Sequence, residues 1–134
     1  MDGDSSPETL ILLEVCPLTY LRVIANETGF EPLARDERAH SRMVLDCCWS
    51  PDGSFFATAS RDKSVKLWKQ NPNQEWTAVC TLKMAESATA VDITSTPAGP
   101  LLAIGTESGA ISLHTVEAKE DVLETKLVHE IVSR

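Results

Sequence analysis

HSRMVLDCCWSPDGSFFATASRDKSVKLW, residues 40–68, alternates apolar runs with turn chemistry in a way that reads as consecutive antiparallel strands. Met43 to Trp49 is an apolar run suited to an inner strand covered on both faces. Ser50-Pro51-Asp52-Gly53 follows, in which proline presets φ and glycine accepts a positive one, so the chain turns back into Ser54 to Ser60. Arg61-Asp62-Lys63 makes a second, tighter turn into Ser64 to Lys69, and Asn71-Pro72-Asn73 ends that strand. Trp76 to Met84 then supplies an outer fourth strand.

Downstream the pattern begins again. Ala88 to Ser95 reads as an inner strand, Thr96 to Pro100 as a turn, and Leu101 to Gly105, Ala110 to Val116 and Val122 to Val128 as three further strands. Setting SRDKSVKLW beside TESGAISLH pairs Trp68 with His114, an offset of 46 residues. Upstream, Phe30 to Asp36 fits the outer strand of a preceding unit, where an edge tolerates Pro32. Residues 40–68 resemble the WD-repeat family, whose period is about 40 to 45 residues with a G-H…W-D signature. His40 and Trp68 are in place, while Ala39 replaces the glycine and Lys69 the aspartate.

That resemblance implies an all-β chain, a partial WD-repeat β-propeller of about two four-stranded blades plus an outer strand of a preceding blade. The expected divisions are 1–29, an N-terminal extension or remnant of an upstream blade; 30–42, outer strand and loop; 43–84, the WD blade; and 85–134, a degenerate second blade and the start of the next. Met1 to Pro7 is breaker-rich and expected to fray. TLILLEV and TYLRVIA each fit a strand or the start of a helix.

Propellers close with about 4 to 8 blades, so 134 residues are too few to close a ring unaided. The formal charge of −8, from 20 acidic and 12 basic side chains, repels phosphate backbones and disfavours direct nucleic-acid binding by this segment. Cys16, Cys47, Cys48 and Cys80 lack CxxC spacing, which suggests reduced thiols and a cytoplasmic, and also a nuclear, location. The apolar run Leu10 to Leu13 is far below the roughly 20 residues of a spanning helix, so no membrane segment is expected. Neither a metal site nor a cofactor is expected.

The family resemblance assigns a buried hydrogen-bond network to His40, Ser60, Asp62 and Trp68, with Thr58 as the alternate hydroxyl on the same strand face. A serine, a histidine and an aspartate also suggest a catalytic triad. A nucleophile must be exposed beside an oxyanion hole, however, and this hydroxyl is expected to be capped by tryptophan, so no catalytic residue is assigned. In the second blade Thr106 keeps the hydroxyl, Ser108 stands for the aspartate, His114 for the tryptophan and Ala88 or a neighbour for the histidine. Cys47 and Cys48 point to opposite strand faces and read as small core residues. Trp49, Phe55, Phe56, Leu67 and Ile111 are expected in the core, and Trp76 partly exposed. Arg42, Met43, Leu45 and Arg61 are the partner-binding candidates, being directed to a propeller face where loops meet partners.

The wording of the central blade is more specific than a generic repeat. His40-Ser41-Arg42, then Asp46-Cys47-Cys48-Trp49-Ser50-Pro51-Asp52, then Ser60-Arg61-Asp62-Lys63-Ser64-Val65-Lys66-Leu67-Trp68, is similar to the Elongator complex protein 2 family, although Leu45 stands where that family often has tryptophan. The resemblance implies a non-catalytic scaffold segment beside the largest and the catalytic Elongator subunits, in the complex that modifies wobble uridines of tRNA. The alternatives are a generic WD-repeat adaptor, such as a ubiquitin-ligase substrate receptor or signalling scaffold, and a truncated product without independent function. An open blade stack exposes a strand edge and an apolar face, so the isolated chain is expected to self-associate.

Overall fold

The computed structural model describes residues 8–13, 18–24 and 30–36 as backbone strands, and residues 40–73 and 75–132 with their side chains. The expected frayed tail, residues 1–7, lies outside the described residues. Among the described residues, eleven strands form three antiparallel sheets: β1 (Glu8–Leu13), β2 (Leu18–Ile24) and β3 (Phe30–Asp36); β4 (Val44–Trp49), β5 (Phe55–Ser60), β6 (Ser64–Gln70) and β7 (Trp76–Lys83); β8 (Ala88–Thr96), β9 (Gly99–Thr106), β10 (Ile111–Lys119) and β11 (Val122–Ile131). Each sheet is a meander in sequence order, as short turns between alternating segments require. The upstream sheet thus holds three strands, and both TLILLEV and TYLRVIA contribute strands to it.

Packing follows from alternation along β5, whose six residues are all buried. Phe55, Ala57 and Ala59 join Val65 and Leu67 on one face and meet Val91, Ile93, Leu102, Ile104, Val116 and Leu123 of the next sheet. Phe56, Thr58 and Ser60 take the opposite face, where Phe56 stacks on Trp68 at 5.7 Å and contacts Trp49 edge-on at 5.0 Å. The inner strands β4 and β8 lie together, and the outer strands β7 and β11 make a lesser contact. Polar bonds pin the two blades: Val91 N–H donates to Asp46 Oδ2 at 2.9 Å, Ser87 Oγ to the Arg61 carbonyl at 3.1 Å, and Lys69 Nζ to the Glu120 carbonyl at 3.0 Å.

Two expected core residues are not fully buried: Trp49 is half-buried beside Phe56 and Trp76, and Ile111 is 41% exposed. Ser112, His114 and Val116 of β10 are buried, so strict alternation puts Ile111 on the other face of its sheet, where no described strand covers it.

The two blades are not simple copies. Phe56 and Leu102, 46 residues apart, occupy the same place in their second strands, but Phe56 pairs with Trp49 and Leu102 with Ile93, only 44 residues apart. The β8–β9 hairpin is therefore two residues longer than β4–β5. Inner-strand residues consequently repeat every 44 positions and those of the second and third strands every 46, while the outer strands, β7 and β11, are 49 apart by the same pairing.

Candidate functional site

Side chains from two strands, β5 and β6, the turn between them and the loop before β4 converge at the top of the β4–β7 blade. The His40 imidazole is buried, with Nδ1 3.0 Å from Asp62 Oδ2 and Nε2 2.7 Å from Thr58 Oγ1. The Trp68 indole N–H donates to the same Thr58 oxygen at 3.0 Å. One proton arrangement satisfies every member. Thr58 O–H donates to Nε2, Nδ1–H donates to the carboxylate, and the threonine oxygen accepts the indole; the other tautomer would aim a bare nitrogen at a carboxylate.

Asp62 is the hub of the turn. Its Oδ1 accepts Ser64 N–H at 3.0 Å and Ser64 O–H at 2.5 Å, and its Oδ2 accepts the Ser41 amide at 3.0 Å. Burial raises the Asp62 pKa, but hydrogen bonds from Ser64 and His40 and the attraction of His40 outweigh it and hold the carboxyl below its ordinary value. The turn also carries Lys63 at a φ of +71°, fixed by bonds from Lys63 N–H to the Ser60 carbonyl at 3.2 Å and from Met84 N–H to the Lys63 carbonyl at 2.7 Å.

Of the sequence candidates, His40, Asp62 and Trp68 lie in one bonded chain, but the hydroxyl between imidazole and indole is Thr58 rather than Ser60. The register explains this. Thr58 lies opposite Lys66 and two residues from Phe56, the partner of Trp68, which puts it between the two rings. Ser60 lies one step higher and ties the turn to the strand beside it. Its hydroxyl accepts the Asp62 amide at 3.0 Å and donates to the carbonyls of Met43 at 2.9 Å and Arg42 at 3.2 Å. Ser64 is a member that motif reading missed, although an aspartate two residues before a serine is a known turn signal.

The second blade builds its loop-to-turn link with the chemistry exchanged. Glu86, in the loop, accepts Thr106 O–H at 2.5 Å and Ser108 O–H at 2.6 Å, and these bonds lower its pKa. Carboxylate and hydroxyl have changed sides relative to the first blade. His114, at the place of Trp68, finds Ile104 where Thr58 would be and turns to Ser112 Oγ at 3.0 Å. Burial depresses the His114 pKa, opposed by the nearby charge of Glu130.

The partner candidates divide. Arg42, Met43 and Arg61 are exposed and, with Ser41, line one shallow, open depression of about 550 Å³. Leu45 is half-buried at the register shift between Val44 and Asp46, so it stands apart from that depression. Cys47, Cys48 and Cys80 are free thiols; burial, then the charges of Asp92 and Asp46, pushes Cys48 up to about 12.

Four-stranded antiparallel blades stacked on their inner strands, with a histidine–carboxylate–threonine–tryptophan chain tying loop to turn, define a partial WD-repeat β-propeller. Residues 32–69 match the family described as WD domain, G-beta repeat. The crystal structure of Chaetomium thermophilum Sqt1 bound to the N-terminus of the ribosomal protein L10 superposes with a TM-score of 0.67 at 13% identity, covering 91% of this chain and 32% of that one.

The sequence itself is similar to Elongator complex protein 2. It is 47% identical to the Schizosaccharomyces pombe protein over 78 residues, covering 55% of this chain and 10% of that one. It is 32% identical to the Saccharomyces cerevisiae protein over 111 residues, covering 78% of this chain and 14% of that one. The chain therefore spans between a tenth and a seventh of the length of these relatives.

Proposed function

We propose that this chain is a non-catalytic scaffold segment of the Elongator complex, supporting wobble-uridine modification of tRNA through protein–protein contacts. The observation that carries the reading is the likeness to Elongator complex protein 2 across the central blade and beyond it. Its partners are the largest and the catalytic subunits, met through the depression lined by Arg42, Met43 and Arg61, with Leu45 outside it, in the cytoplasm and also in the nucleus.

The chemistry of the polar chain favours a structural role. Asp62, His40 and Thr58 have the connectivity of a triad, but Thr58 is fully buried and its oxygen is already engaged by the Trp68 indole. Ser60 is equally buried and bonded to backbone on both sides.

Affinity purification of the tagged full-length protein from cells tests the proposal. Co-recovery of Elongator subunits, and loss of wobble-uridine modification on depletion, are the expected results. Recovery of a ligase or signalling complex without any Elongator subunit would overturn it in favour of a generic adaptor.

A further inference from the structure

The depression at the head of β4 holds two arginines, Arg42 and Arg61. Neither Arg42 nor Arg61 takes part in an ion pair among the described residues, in a chain whose formal charge is −8. Their backbones are locked. Arg61 N–H donates to the Met43 carbonyl at 3.0 Å, Ser60 O–H bonds the carbonyls of Met43 and Arg42, and Ser87 of the next blade bonds the Arg61 carbonyl. Between the two guanidinium-bearing residues, Met43 is 50% exposed. Two cationic side chains carried on locked backbone, on either side of an apolar thioether, form an amphipathic spot.

The equivalent place on the second blade has the opposite sign. The bond from Arg61 N–H to the Met43 carbonyl is reproduced by Glu107 N–H to the Ser87 carbonyl at 3.2 Å. By that correspondence Arg42 and Arg61 are replaced by Glu86 and Glu107, and Met43 by Ser87. The second blade therefore keeps this backbone bond while inverting the charge, so the arginine pair is a property of this blade and not of the blade fold.

Resting on the reading of Arg42, Met43 and Arg61 as partner contacts, we infer that this depression binds an acidic protein segment, two carboxylates flanking an apolar side chain that packs on Met43. A nucleic acid fits less well. Its charge is continuous and would run from the arginines onto Glu86 and Glu107, whereas a peptide can confine its carboxylates to two positions.

The test uses the full chain and fluorescence anisotropy with three labelled eight-residue probes: an acidic peptide with a central leucine, its lysine-for-acid counterpart, and oligouridylate. The acidic peptide is expected to bind at least about tenfold more tightly than either, with an affinity that falls as salt rises. Arg42→Glu/Arg61→Glu should abolish that preference, Arg42→Gln/Arg61→Gln should weaken it, and Lys126→Glu, a remote charge control, should leave it intact; circular dichroism establishes that each variant is folded. Unchanged binding in the folded glutamate variant, or tighter binding of oligouridylate, would overturn the inference.

Purification of the double variant from cells separates the two proposals. Elongator subunits recovered undiminished with Arg42→Glu/Arg61→Glu would refute the docking role and leave the scaffold reading standing. Absence of those subunits even with the unmodified protein would refute the scaffold reading, and the anisotropy result would still judge the depression.

Discussion

Thr58 satisfies two ring nitrogens with one hydroxyl, so its loss should be felt well beyond its size. Thr58→Val keeps the shape but strands His40 Nε2 and the Trp68 N–H in a buried place, an expected cost of about 1 to 3 kcal/mol in urea unfolding. Thr58→Ser should recover most of it, and an unchanged midpoint for valine would contradict the assignment. His114 titrates the other blade. Its folded pKa is depressed, so the neutral ring is the form the fold prefers. Its contribution is present above the unfolded value of about 6.5 and fades as pH falls through the folded one. Thermal melts from pH 7.5 to 5 should show a loss of stability that His114→Gln reduces. Cys48, with its thiol at about 12, should resist iodoacetamide at pH 8 in the native state and react on unfolding. The histidine, aspartate and tryptophan of the network were legible in the sequence because the repeat signature fixes their spacing. The choice between Thr58 and Ser60 was not, since both lie on one strand face and only the pairing register tells which of them reaches the indole.

At the scale of elements, turns decide more than strands do. Gly53 ends its turn at a φ of +76° with open space where a Cβ would sit, so Gly53→Ala should cost only backbone strain, about 1 kcal/mol. Gly105→Ala is the contrast. It has no positive φ and its Cβ would meet Ala90 at an ordinary 3.6 Å, so the melting temperature should stay or rise slightly. The eight strands from Val44 onward were readable because the Ser50–Gly53, Arg61–Lys63 and Ser108–Gly109 turn signals bracket short apolar segments. β1 was not, because a continuous apolar run such as Leu10 to Leu13 carries no period of either kind. Glu86 was hidden for a related reason: a single offset of 46 points past it, and only the inner-strand offset of 44 sets it opposite Arg42.

For the molecule as a whole, the last sheet has an outer strand with open flanks. Leu127, Val128 and Ile131 of β11 and the neighbouring Val132 are all about half exposed or more, and β11 is hydrogen-bonded on one side only among the described strands. Such an edge invites pairing with another chain. Sedimentation of the isolated chain should therefore show mass rising with concentration, and Val128→Lys/Ile131→Lys should shift it toward monomer; a monomer at every concentration would contradict this. The longer β8–β9 hairpin has a consequence for how such rings diverge. A length change of two residues slides the inner strand by a full pleat and keeps every side chain on its own side of the sheet, whereas a change of one would have turned the blade inside out. Even-numbered insertions are thus a silent route to novelty: the packing between neighbours survives, while a different pair of side chains is dealt to the exposed face. Here that exchange set Glu86 where Arg42 stands one blade earlier, giving adjacent blades opposite polarity on an unchanged frame.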